Sequence, residues 1–158
     1  PELIAQIRHS FDENNIKTFT TRQLVDVRKE SVSMLFQDLR LFPELSVMEN
    51  IQLKNNLTGF KKKKEIKDLL EQLCIPEKVK AKVGKLSFGQ QQRVALIRAL
   101  CQPCDFFIMD EPVSHLDDQN AEIMGRILMA EAQQQGAGVI ITSIGKHIEL
   151  PFTKVFRL

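Results

Sequence analysis

Two neighbouring carboxylates, Asp110 and Glu111, follow an unbroken apolar run, Phe106-Phe107-Ile108-Met109. A run of this kind, bounded by polar residues, is the pattern of a strand buried on both faces. Such a strand delivers its two acids to the carboxyl edge of a parallel sheet, where α/β proteins bind ligands. There one acid can hold Mg²⁺, usually through water, while its neighbour polarises an attacking water. Taken alone, the same residues also describe a strand that simply meets solvent.

A second cluster lies just upstream, in Leu86-Ser87-Phe88-Gly89-Gln90-Gln91-Gln92-Arg93. Ser87-x-x-Gln90 is a capping box, so Ser87, Gly89 and Gln90 fall at a helix N-terminus. Free backbone N–H groups, a hydroxyl and the positive end of the helix dipole make that position a ready anion site. A plain capped helix explains Ser87 and Gln90 but not Gly89 inside the first turn.

The elements that must carry these residues alternate between short apolar strands and amphipathic helices, which predicts an α/β fold with a largely parallel sheet. Ile7–Phe11 reads as a strand followed by a polar turn at Asp12–Asn15, and Thr21–Arg28 as a short helix. Val32–Phe36 is a second strand, followed by Gln37. Pro43 breaks the chain, and the capping box Ser46-x-x-Glu49 predicts a helix from about Val47 to Asn56. The run Lys61–Lys64 reads as a solvated approach to the next helix rather than a site for an anionic partner. That helix carries Ile66, Leu69, Leu70 and Leu73 as a core-facing stripe, and Pro76 stops it. Residues 40–85 thus form a small helical insertion without strands. The helix opened by Ser87 runs through about Leu100, with Val94, Ile97 and Leu100 on one face. A further helix spans about Asp118 to Gln134, with Ile123, Ile127 and Leu128 on it and Gly136 as its C-terminal cap. Val139–Thr142 is another buried strand, and Phe152–Leu158 a final edge strand.

Bulk properties narrow the class. The 158 residues, 43% hydrophobic and 27% charged, are the length and composition of one globular domain. A net charge of +2 is too small to argue for nucleic acid as a partner. The longest apolar runs are far too short to span a bilayer, and no signal peptide opens the sequence, which predicts a cytosolic protein. Cys101 and Cys104 form a C-x-x-C, but at the end of a helical pattern and before a strand. A redox pair would sit at a helix start after a strand, and zinc would need more ligands, so neither function is assigned.

Leu86–Arg93 closely resembles the signature motif of ATP-binding cassette (ABC) ATPases, whose usual form has Gly where Phe88 stands. Phe106–Glu111 looks like the Walker B strand of that family, and Ser114-His115-Leu116-Asp117 like its D-loop. Met34-Leu35-Phe36-Gln37 resembles the strand and glutamine of the Q-loop. Leu41–Asn50 is similar to the segment that follows it in transporter ATPases. Four motifs in the family's order and spacing cover nearly the whole chain.

The resemblance implies a P-loop NTPase-like sheet flanked by helices. In it, residues 1–39 and 101–158 would be parts of a RecA-like core, and about 40–100 a helical subdomain between the Q-loop and the signature motif. It implies an ATPase subunit of an ABC transporter, using ATP and Mg²⁺, peripheral on the cytoplasmic face of the membrane. Its partners would be transmembrane permease subunits and a second ATPase subunit, identical or not. Asp110 would hold Mg²⁺ and Glu111 would be the general base, with Gln37 contacting the Mg²⁺ or attacking water and coupling the site to the membrane subunits. Ser87, Phe88, Gly89 and Gln90 would close over the γ-phosphate bound by the partner in a head-to-tail dimer, and Ser114 and Asp117 of the D-loop would help link the two sites.

Three features depart from the pattern. The phosphate-binding loop G-x-x-x-x-G-K-[ST] is absent, and family spacing puts its lysine about ten residues before Pro1. The sequence, which opens on Pro1 rather than Met, therefore reads as truncated; it is expected to be inactive alone, and to belong to a longer polypeptide or to fold by self-association. The family's switch histidine should follow the strand Val139–Thr142, where Ser143 and Ile144 stand. His147 lies three or four residues late as a substitute, and His9 and His115 are no better placed. Phe88 is the third departure, a bulky ring beside the partner's nucleotide. The alternative function is a non-catalytic, regulatory cassette that has lost hydrolysis.

Overall fold

The computed structural model describes residues 19–144 and 150–156. The expected strand Ile7–Phe11, its turn, His9 and His147 lie outside the described residues. Three parallel strands form the sheet: β1 (Val32–Leu35), β2 (Phe106–Asp110) and β3 (Gly138–Thr142), in the order β1-β2-β3. The register pairs Leu35 with Met109 and Asp110 with Thr142, so all three strands end at one edge. Phe107 and Met109 on β2 are fully buried, as the apolar run predicts for a central strand. β3 was expected to be buried; it has a strand neighbour on one side only among the described residues, and Val139–Ile141 remain half-buried.

Helix α1 (Thr21–Glu30) opens on a capping box between Thr20 and Gln23. Between β1 and β2 the regular elements are helices joined by loops, with an isolated antiparallel bridge from Ser46 to Lys82. Helix α2 (Val47–Thr58) begins with the reciprocal Ser46–Glu49 cap and ends at Gly59, whose φ of 62° is the left-handed region that glycine enters without strain. Buried Asn50 on α2 accepts from Phe42 N–H at 2.8 Å and donates to Phe42 O at 3.0 Å, which fixes the loop after Gln37. Helix α3 (Lys63–Gln72) buries Ile66, Leu69 and Leu70, as its stripe predicts, and Pro76 starts a separate 3₁₀ turn. Helix α4 (Phe88–Ala99) is buried on most of its circumference. Helix α5 (Asp118–Gln135) is capped by Asp117 and ends at Gly136 in the left-handed region.

Two further expectations are corrected. Lys61 is not part of a solvated run: it is buried, and its ammonium lies 2.7 Å from both carboxylate oxygens of Glu131 on α5. Gln135 also donates to Glu131, at 2.8 Å. The Asn55 side chain holds the Lys61 backbone at both N–H and carbonyl, 2.9 Å each, and so aims the side chain inward. The pairing is what makes burial of the cation tolerable. The second correction concerns the tail: residues 152–156 form no strand and are exposed. An apolar alternation becomes a strand only where a partner edge receives it.

Candidate functional site

The parallel register gathers the ends of β1, β2 and β3 at one edge of the sheet. Gln37 follows β1 by two residues and is exposed. Asp110 ends β2; it too is exposed, and its Oδ1 accepts from the Thr142 hydroxyl at 2.6 Å. Thr142, at the end of β3, is a site residue the sequence reading missed. A threonine closing a strand carries no signal until the register sets it opposite Asp110.

Glu111 is held from several sides. It is only 8% exposed and adopts φ +50°, a left-handed conformation that costs a non-glycine residue about 1–3 kcal/mol. Its N–H donates to Thr142 O at 3.0 Å, and its carbonyl accepts from the Gln92 side chain at 3.2 Å. Its carboxylate accepts from the backbone N–H of Ile144. Thus the loop after β3, where the family pattern expects a histidine, grips the acid with a main-chain amide instead. The result is two adjacent carboxylates in different settings, Asp110 open to solvent and Glu111 enclosed.

The donor set fits Mg²⁺. Asp110 and Gln37 offer hard oxygens at an exposed edge, and among the described residues no group of three or more His, Cys, Asp or Glu could enclose a metal. A site of one carboxylate and one amide oxygen suits a cation that keeps water and phosphate oxygens as its other ligands.

The signature segment packs onto the residues that follow Glu111. Ser87 Oγ accepts from Gln90 N–H at 3.3 Å, and Gln90 Oε1 accepts from Ser87 N–H at 3.1 Å. Gly89 faces His115 and Leu116 so closely that a Cβ there would lie 2.9 Å from His115 O and 3.0 Å from Leu116 Cδ2. This contact supplies the reason for Gly89 that a capped helix lacked. Phe88 is 40% exposed and packs against the His115 ring in a tilted arrangement, centroids 4.3 Å apart and planes at 58°. Ser114 Oγ lies 2.9 Å from His115 Nδ1 and 3.3 Å from Glu111 O. Arg93 donates to Gly89 O, Leu73 O and Asn120 Oδ1, and Asn120 in turn bonds both carboxylate oxygens of Asp117. Those bonds from Asn120 hold the Asp117 carboxyl below the usual range.

The structure therefore brings Ser87–Gln90 against Ser114–Asp117, and Asp110–Glu111 against Thr142–Ile144. Cys101 and Cys104 stand apart from both groups. Both are buried, and burial pushes their thiols up to about 12. A protonated thiol is neither nucleophile nor metal ligand.

The ABC transporter family model matches residues 4–114. An uncharacterised ABC transporter ATP-binding protein of Mycobacterium bovis is 31% identical over 143 residues, 89% of this chain and 43% of that protein. YvrO of Bacillus subtilis, described in the same words, is 32% identical over 84% of this chain and 59% of its own length. The macrolide export ATP-binding/permease protein MacB of Aggregatibacter actinomycetemcomitans is 31% identical over 88% of this chain and 22% of its own. The chain thus spans less than two thirds of these relatives. Among solved structures, a dimeric ATP-binding cassette bound to ADP and Pi superposes with a TM-score of 0.70 at 25% identity, over 83% of this chain and 60% of that one. No helix among the described residues is long and apolar enough to cross a membrane. With its motifs, its parallel sheet and a family match that runs from residue 4 through the end of β2 to Ser114, the chain belongs to the ABC transporter family of ATP-binding proteins.

Proposed function

We propose that the full-length protein is the ATP-hydrolysing subunit of an ABC transporter, working as a head-to-tail dimer at the cytoplasmic face of a membrane. The observation that carries this reading is the pairing of an open Asp110 with an enclosed Glu111, held at its N–H, carbonyl and carboxylate, at the carboxyl edge of the sheet. Mg²⁺, when bound, would neutralise charge on the nucleotide's phosphates. Asp110, steadied by Thr142, and Gln37 are the residues that would hold it. Glu111 would accept a proton from the attacking water, its carboxylate aimed by the Ile144 amide. Ser87, Phe88, Gly89 and Gln90 would face the partner's nucleotide, with Ser114 and Asp117 beside them. Residues 1–158 contain no phosphate-binding loop and by themselves would hydrolyse no ATP at a useful rate.

Beside Gln37 lies a groove of about 330 Å³, with Phe36, Phe42, Leu53 and Leu57 among its apolar walls and Lys54 and Arg98 in its lining. Burial, followed by the nearby Arg98 charge, pushes the Lys54 ammonium below its usual range. An exposed apolar groove next to the coupling glutamine supports a membrane subunit as partner. Similarity to an ATP-binding/permease protein supports the same reading.

A second reading, a regulatory cassette without hydrolysis, is favoured by one observation: the Ile144 amide occupies Glu111 where a histidine is expected. Glu111→Gln in the full-length protein separates the two. If the protein hydrolyses ATP, the variant accumulates an ATP-bound dimer, read by light scattering. A wild-type protein that already forms a stable ATP dimer and turns nothing over supports the regulatory reading.

A further inference from the structure

Gln92 stands in the run Gln90-Gln91-Gln92, and its neighbours have local work: Gln90 completes the cap of α4 and Gln91 donates to Leu86 O at 3.0 Å. Gln92 points the other way, into the protein, and is 1% exposed. It occupies the buried stripe that continues through Ala95, Leu96 and Ala99, where an amide is retained only if its polar atoms are satisfied. They are satisfied by one short segment. Its Nε2 donates to Glu111 O at 3.2 Å and to Ser114 Oγ at 3.2 Å, and its Oε1 accepts from His115 N–H at 3.3 Å.

We propose that Gln92 is a positioning residue for Glu111: one buried amide ties the left-handed backbone at Glu111 and the turn at Ser114–His115 to the helix that carries Ser87 and Gly89. The general base and the surface that meets a partner subunit are then set by the same side chain. The amide is matched to the task, because both of its donors and its carbonyl are used within five consecutive residues, Glu111 to His115. A leucine fills the same volume and makes none of these bonds. A glutamate keeps the acceptor for His115 N–H but sets an oxygen against Glu111 O. The inference rests on the ATPase reading above for its catalytic part, and on hydrogen bonding alone for its structural part.

The test uses the full-length protein as wild type, Gln92→Leu and Gln92→Glu. Displacing a catalytic group through a lost support lowers turnover by about tenfold to a hundredfold, so both variants are expected to lose that much kcat per folded molecule, with KM for ATP within about twofold. Amide hydrogen exchange, run without nucleotide, is expected to speed up at His115 in the leucine variant and to stay near wild type there in the glutamate variant. A kcat per folded molecule that is unchanged while the melting temperature falls would make Gln92 merely structural and overturn the proposal. Unchanged exchange at His115 in the leucine variant would overturn it too, since the bridge would not exist. If wild type hydrolyses nothing, the ATPase reading is what fails, and the exchange result alone then upholds or overturns the bridge.

Discussion

Replacing Gly89 with alanine perturbs the contact between the signature helix and the turn after Glu111. The new Cβ would lie 2.9 Å from His115 O and 3.0 Å from Leu116 Cδ2, against the 3.4–4 Å of ordinary contact. A leucine methyl can rotate away, but a backbone carbonyl moves only with its chain. Here that chain is anchored on both sides, by Gln92 at His115 N–H and by Asp117 at the start of α5. Overpacking of this kind costs about 1–3 kcal/mol. Alanine recovers part of it, since glycine is up to about 1 kcal/mol the poorer helix former, and less so in a first turn. The expected net loss is about 1–2 kcal/mol, or about 2–8 °C in melting temperature for a protein of this size. Urea unfolding of the full-length protein, without nucleotide, measures it. Phe88→Ala serves as comparison: it removes an exposed ring and its tilted contact with His115 but opens space rather than filling it. A Gly89→Ala protein as stable as wild type would refute the packing account and leave glycine there for phosphate access alone.

The remaining predictions concern the elements around the site. Lys61→Met strands the Glu131 carboxylate in the interior and is expected to cost about 3–5 kcal/mol in urea unfolding, most of it recovered in the Lys61→Met, Glu131→Leu double variant. In the native protein at pH 8 a thiol reagent should modify exposed Cys74 promptly and reach Cys101 and Cys104 only on unfolding, because burial keeps both thiols protonated. The Asp117 carboxyl is held low by Asn120, so its contribution to stability is complete above the unfolded carboxylate pKa of about 3.9 and is lost as pH falls through the lower folded value. Asp117→Asn keeps a capping side chain and should flatten that acid limb of a stability–pH curve.

Local rules were enough for most elements. The caps at Ser46 and Ser87 are spelled out within four residues, and the helices begin there. The run Phe106–Met109 has the unbroken apolar pattern of a strand covered on both faces, and it lies between β1 and β3. What was not legible depends on residues far apart in the chain. Lys61 looks solvated beside its lysine neighbours until α5 sets Glu131 against it, seventy residues later. Thr142 acquires a role only through the register that puts it opposite Asp110. Gln92 was hidden in a glutamine run, although its place on the stripe with Ala95, Leu96 and Ala99 was a readable signal of a buried amide. Gly89 stands out in the sequence as part of an anion site, and its packing role, the close approach of His115 and Leu116, becomes visible only in three dimensions.

The measurement that bears most directly on the central claim is Mg²⁺-dependent ATP hydrolysis by the full-length protein, wild type against Glu111→Gln. Loss of an activating general base lowers turnover by about 10²–10⁴-fold, and the account predicts a wild-type activity that collapses by this order in the variant. Activity that survives the substitution unchanged would contradict it, because the enclosed carboxylate at the end of β2 would then have no part in the chemistry.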